Sequence, residues 1–259
     1  MFEELYAPLP DAGAYLRRIG LDTAPERDYA GLCALVRAHQ QSVPFENYEL
    51  CAEDGHIDIG IEHLFDKVVL RRRGGYCFEL NGLFCALLAA LGFDVYPVLA
   101  RIYGNIDHPA PLHRGTIITI DGKRYFADVG FGGPMPAGAI LMEDGAVTEA
   151  PNGVYRFDSR PEHQWLLSRL EDGRWLDMLG FSGHPADPTD FIAPNFYCSD
   201  SPASFFRMAR LANIYTPDGF YSLMNDELKL VSAAGTETRK VAPEEERQVL
   251  RQYFGIELS

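Results

Sequence analysis

The stretch "RRRGGYCFELNG", residues 71–82, places one cysteine behind two glycines and three arginines at the mouth of an apolar run. Downstream, Leu80, Leu83, Phe84, Leu87, Leu88 and Leu91 recur at helical spacing, and Gly92 follows as a stop signal. The pattern predicts a buried helix with Cys77 at its entrance. A cysteine there can be a small core residue, since free cysteines are commonly buried. It can equally be a nucleophile, because a helix N-terminus or a neighbouring imidazolium lowers a thiol pKa.

Working back towards the N-terminus, the sequence predicts helices throughout. Asp11 caps a segment that ends before Gly20, and Leu32, Leu35, Val36 and His39 keep helical spacing until "SVPFEN" interrupts at Pro44. A further helix is predicted over 61–69. Beyond Val95 the texture changes to short strands punctuated by Asp-Gly pairs at 121–122, 144–145 and 172–173, which predict hairpin turns and a sheet or small barrel. The tail adds strands over 219–224 and 227–231 and a closing helix over 243–254. These patterns give an α+β chain.

The hairpin supplies partners for Cys77. "HRGTIITI" turns at Asp121-Gly122 into "KRYFADVG". A two-residue turn pairs Ile120 with Lys123 and sets Gly115 opposite Asp128, so His113 and Asp128 share a face as diagonal neighbours roughly 7–8 Å apart. Gly115 is expected to leave room for the imidazole to lean towards the carboxylate. An Asp-oriented His can act as base to a thiol. A one-residue slip would send the two side chains to opposite faces. The residues alone leave both readings of Cys77 open.

Bulk properties exclude several classes. With 259 residues the chain can bury a large core, and its net charge of −14 argues against a general nucleic-acid or anionic-membrane binder, so any anionic ligand must be held locally. No apolar run approaches the ~20 residues of a membrane span, and the N-terminus lacks the basic and apolar regions of a secretory signal. The five cysteines form no C-x-x-C pair, which fits reduced thiols in a cytoplasmic enzyme. No metal site is expected, because no H-x-x-x-H or H-E-x-x-H accompanies them.

The blocks "HQQSVPFENYEL", "RRRGGYCFELNGLF", "HRGTIITIDGKRYFADVGFGG" and "NFYCSDSPASFF", in that order over 39–206, resemble the arylamine N-acetyltransferase family. The resemblance implies a papain-like cysteine-transferase build: a helical N-terminal bundle over 1–92, a β-barrel middle over 93–185 and an α/β C-terminal lid over 186–259. It implies acetyl transfer from acetyl-CoA to an arylamine, hydrazine or hydroxylamine through an acetyl-cysteine, with Cys77 as nucleophile, His113 as base and Asp128 as orienting acid. By the same resemblance Phe131 lines the acceptor pocket, and Gly130, Gly132 and Gly133 form the loop associated with the CoA pyrophosphate. Arg73 is expected to pair with Glu46 and hold the nucleophile segment, while Arg71 and Arg72 are solvated. The alternatives are an amide synthase closing a macrolactam from a carrier-bound acyl chain, a cysteine hydrolase or transglutaminase-like enzyme, and a catalytically silent binding module. The implied partners are small molecules and CoA, with no nucleic acid and no membrane, and a homo-oligomer is left open.

Overall fold

The computed structural model describes residues 2–51, 55–104, 109–161 and 164–258. The N-terminal part is helical. α1 (Ala12–Arg18) is capped by the Asp11 side chain, which accepts from the Ala14 N–H at 2.9 Å, and α2 (Tyr29–Ser42) is capped in the same way by Asp28. The helix predicted over 61–69 starts as α3 (Ile61–Phe65) and loosens into a π-helical turn at Asp66–Leu70. α4 (Cys77–Ala90) is buried on nearly every side, as its apolar run requires. Among the described residues, no helix is long and apolar enough to cross a membrane.

Two antiparallel sheets follow. The larger holds β2 (Asp94–Ile102), β3 (His113–Ile120), β4 (Lys123–Ala127), β5 (Ile140–Leu141), β6 (Val147–Ala150), β7 (Gly153–Arg160), β8 (Gln164–Glu171) and β9 (Arg174–Phe181), in the order β5-β4-β3-β2-β9-β8-β7-β6. Its edge strands β5 and β6 are consecutive in sequence, so the short connection between them curls the sheet into a nearly closed barrel. This corrects one expectation. Asp121-Gly122 and Asp172-Gly173 turn true hairpins, but Asp144-Gly145 lies between two strands that pair elsewhere, β5 with β4 and β6 with β7. A dipeptide can specify a turn, but it cannot specify which strands pair.

The smaller sheet explains how the ends of the chain meet. β1 (Phe45–Glu46), just after α2, pairs with β10 (Leu211–Thr216), which is followed in order by β11 (Gly219–Met224), β12 (Glu227–Ser232) and β13 (Gly235–Lys240). Between the sheets lie α5 (Ile192–Asp200) and α6 (Phe205–Met208), and α7 (Glu246–Val249) closes the chain. One core packs the helices against Ile118, Ile120, Ala127 and Val129. A second fills the barrel with Val98, Ile117, Phe126, Phe157 and Phe181. β3 is therefore covered on both faces, and this sandwiching places its first residue under α4.

The predicted register of the β3–β4 hairpin holds: Ile120 pairs with Lys123 and Thr116 with Ala127. Asp121 and Gly122 have φ of +51° and +75°, as a two-residue type I′ turn requires. The space at Gly115, however, does not serve the imidazole. A Cβ there would come within 2.5 Å of the Phe126 ring, so a core phenylalanine occupies it. Gly122→Val should therefore strain the turn and lower both melting temperature and activity, whereas Gly122→Asn should be tolerated.

α2 also buries an imidazole. His39 is fully buried, with neither ring nitrogen hydrogen-bonded among the described residues, between Tyr15 and Phe84 at ring distances of 5.8 and 5.4 Å. Burial, aided by the Arg18 charge, pulls its pKa down from 6.5 to about 3. The unfolded chain takes up that proton near the ordinary value and the fold does not. Stability present above pH 6.5 is then lost towards pH 3, at up to about 1.4 kcal/mol per pH unit. Chemical denaturation of His39→Gln should show a shallower acid slope than that of the wild type.

Candidate active site

Cys77 is the first residue of α4, and the preceding Tyr76 is extended. The Glu79 carboxylate accepts from the Tyr76 N–H at 3.0 Å, half of a capping box that fixes where the helix begins. The same carboxylate receives the Lys67 ammonium at 2.6 Å, and Lys67 also reaches Glu49 at 2.5 Å. Burial pulls the Lys67 pKa down, but Glu79, Glu46 and Glu49 more than reverse this and keep the ammonium charged. Arg73 pairs with Glu46 through its Nε and Nη2 at 2.8 and 2.9 Å, as expected from their positions flanking the segment. Arg71 instead makes an exposed pair with Asp66.

These charges clamp the loop that carries the cysteine. The Glu46 N–H donates to the Gly75 carbonyl at 2.9 Å, so β1 is tied to the residues just before α4. Lys67, almost completely buried, could not be distinguished in sequence from the surface lysines. Its one signal was a place one helical turn before the arginine run. Breaking a buried ion pair from one side strands the other charge, at a cost of about 3–5 kcal/mol. Arg73→Gln should accordingly lower thermal stability much more than it raises the KM of any substrate, as melting curves and steady-state rates would show.

The hairpin brings His113 and Asp128 together. They continue the row of Ile117 and Phe126 on the barrel face, and His113 Nε2 lies 2.5 Å from Asp128 Oδ2. Asp128 Oδ1 accepts from Asn81 Nδ2 and from the Gly130 N–H, each at 2.8 Å. Asn81 also donates to the Arg114 carbonyl at 2.6 Å and accepts from the Val129 N–H at 2.9 Å. Gln40 adds a contact from Nε2 to the Asp128 carbonyl at 3.0 Å. Asn81 lay in the quoted motif without an assigned part, and Gln40 had none at all. Both are polar residues on otherwise apolar helix faces, which was the available signal.

The other ring nitrogen, His113 Nδ1, is buried and without a partner among the described residues. The Cys77 sulfur rests against the start of the same strand, with its thiol 3.8 Å from the Leu112 carbonyl. A Cβ on Gly130 would lie 3.0 Å from Cys77 Cα, so only glycine lets this loop close over the helix start. The expected low thiol pKa is not a property of the helix start alone. Burial pushes the Cys77 thiol well above its ordinary value, neighbouring Cys198 adds to the rise, and the Arg114 and Phe78 N–H groups only oppose it.

Phe131 packs edge-on to His113 at a ring distance of 5.6 Å and lines an apolar cleft with Val43, Phe45, Val129 and Phe220. Gly132 and Gly133 lie on the rim of this cleft. Their carbonyls accept from Asn213 Nδ2 at 2.5 Å and from the Tyr215 hydroxyl at 2.8 Å, so the smaller sheet anchors the glycine loop. Among the described residues, no cluster of three His, Cys, Asp or Glu side chains could hold a metal ion.

A family model described as N-acetyltransferase matches residues 28–259, which places the chain among the N-acetyltransferases. The arylamine N-acetyltransferase of Mycolicibacterium smegmatis is 35% identical over 233 residues, spanning 88% of this chain and 84% of that protein. A solved M. smegmatis arylamine N-acetyltransferase superposes with a TM-score of 0.90 at 34% identity, covering 96% of this chain and 93% of that one. A structure of Mycobacterium marinum arylamine N-acetyltransferase in complex with CoA superposes at 0.87 with 30% identity, covering 95% and 93%. The chain belongs to the arylamine N-acetyltransferase family, with its α+β fold of helices, a barrel-like sheet and a second sheet.

Proposed function

We propose that this protein transfers the acetyl group of acetyl-CoA to an arylamine, arylhydrazine or N-hydroxyarylamine by a ping-pong reaction through acetyl-Cys77. The observation that carries the reading is the His113–Asp128 contact. It leaves Nδ1 as the free imidazole acceptor on the strand against which the Cys77 sulfur lies. Nδ1 takes the thiol proton, and the thiolate attacks the thioester carbonyl. The CoA thiolate then leaves and carries that proton away. The amine attacks the acetyl-cysteine, and its proton passes to His113 as the Cys77 thiolate is released and afterwards reprotonated. A helix start leaves its first N–H groups unpaired, so the Cys77 N–H is the oxyanion donor.

In this reading, the ranges 1–92, 93–185 and 186–259 supply the nucleophile, the base with its acid, and the cover. Phe131 stacks against the acceptor, and the Gly130, Gly132 and Gly133 loop meets the CoA pyrophosphate. All five cysteines are unpaired, which suits a reducing compartment, and we infer a cytoplasmic location. A buried thiolate is tolerable only beside a cation, so activation rests on proton transfer to His113.

Three measurements test this. Brief exposure to acetyl-CoA without acceptor should add one acetyl group by intact mass to the wild type and none to Cys77→Ala, and adding an arylamine should remove it. Acetylation of Cys77→Ala would sink the assignment. Alkylation of Cys77 should proceed in the wild type below the pH at which ordinary thiols ionise. In His113→Gln it should move to higher pH, because burial is then uncompensated. Asp128→Asn should cost on the order of 10³–10⁴-fold in turnover.

A further inference from the structure

β3 opens with two basic residues that face opposite ways. Ile117 lies in the barrel core and Ile118 and Ile120 in the helical one, so His113 shares the barrel face and Arg114 the face under the helices. β4 pairs with β3 only as far as Thr116, which leaves the strand edge at 112–114 open to α4. There the Asn81 amide bonds to the Arg114 carbonyl, and the Cys77 sulfur lies against the Leu112 carbonyl and the Arg114 N–H. The sulfur thus sits at the edge between the two faces.

The Arg114 side chain is only 7% exposed and runs beneath α4. A Cβ on Gly82 would lie 2.9 Å from its Nη1, and the Phe191 ring covers the guanidinium at 4.3 Å. Its Nε is buried without an acceptor, and among the described residues the side chain makes no ion pair and no hydrogen bond. By contrast, buried Lys67 is matched by Glu79 and Glu49, and buried Arg18 by four backbone carbonyls. An enclosed charge without a counter-ion is costly, and an aromatic ring offsets only part of that cost. Burial lowers the Arg114 pKa, and the Cys85 and Cys77 thiols oppose that fall.

The titratable groups around the Cys77 sulfur are Tyr76 beside it, Cys198 of α5, and the His113–Asp128 pair of the hairpin. Cys198 and Asp128 both oppose a negative charge on the sulfur. Cys85, one turn beyond Gly82 on the same face of α4, also feels the guanidinium. Burial nevertheless keeps that thiol above its ordinary pKa, whereas Cys77 has the His113–Asp128 pair on the adjoining strand.

We propose that Arg114 is a positioning residue for the reaction, its guanidinium being the built-in counter-charge of the Cys77 thiolate. This rests on Cys77 acting as the nucleophile and His113 as its base. The strand keeps the guanidinium and the protonated imidazole on opposite faces, so the two like charges act on the sulfur from different sides. An unpaired cation weakens the resting fold, and the same charge favours the ionised state in which it gains a partner.

The test reads the pH dependence of Cys77 alkylation by iodoacetamide, located by peptide mass, beside the melting temperature. Arg114→Met removes the charge and keeps most of the volume. It should melt at or above the wild type, because apolar replacement of a buried charge is often stabilising. Its alkylation profile should move up by about one pH unit or more, and kcat/KM at neutral pH should fall about tenfold. Arg114→Lys should keep most of the wild-type profile, and Phe191→Leu and Cys85→Ala should leave it in place. Should Arg114→Met fail to fold, Arg114→Gln carries the same comparison. A neutral variant whose profile matches the wild type would overturn the proposal, and so would a shift of equal size in Cys85→Ala. A wild type alkylated at Cys77 at low pH but never acetylated by acetyl-CoA would overturn the acetyl-transfer reading instead, and a shifted Arg114→Met profile would still support the counter-charge.

Discussion

The side-chain amide of Asn81 joins the helical part of the molecule to the barrel. From the second turn of α4 it donates to the Arg114 carbonyl and to Asp128 and accepts from the Val129 N–H, so one residue bonds to the hairpin at three points. Each group is buried, and an unmade bond there would leave a desolvated donor or acceptor, at a cost of about 1–3 kcal/mol. The relation of Cys77 to His113 is a consequence of this junction. Without it, the helix start and the hairpin would be held together by apolar packing and the contacts of the Cys77 sulfur with Leu112 and Arg114.

Around that junction the charges are arranged in two layers. The Lys67 and Arg73 clamps fix the loop before Cys77 with full ion pairs, whereas Asp128 is held by neutral donors and the imidazole alone. The separation is chemically useful. An arginine beside Asp128 would compete for the carboxylate that orients His113, so the strong cations are spent on shaping the loop. The sulfur is buried, and that burial pushes its thiol up.

The smaller sheet contributes by anchoring. β1 is two residues long, yet it pairs with β10 and fixes the chain on which Phe45 faces the glycine loop. Asn213 and Tyr215 of β10 hold the carbonyls of that loop, so the rim of the apolar cleft is set by residues far away in sequence.

The sequence by itself determined the helices with their caps at Asp11 and Asp28, the type I′ hairpin at Asp121-Gly122, and hence the shared face of His113 and Asp128. All of these depend on neighbours within a few residues, where spacing and turn chemistry act directly. It also carried the Arg73–Glu46 pair and the family resemblance. Only the tertiary structure decided that Asp144-Gly145 closes a barrel instead of a hairpin, that Phe126 fills the room at Gly115, and that Lys67 is a buried ion-pair partner. It alone revealed Asn81 and Gln40 as supports of Asp128 and raised the thiol pKa by enclosing the sulfur. Each of these depends on which distant surfaces meet. Burial, dielectric surroundings and hydrogen-bond partners belong to those contacts and have no periodicity in the chain from which they could be read.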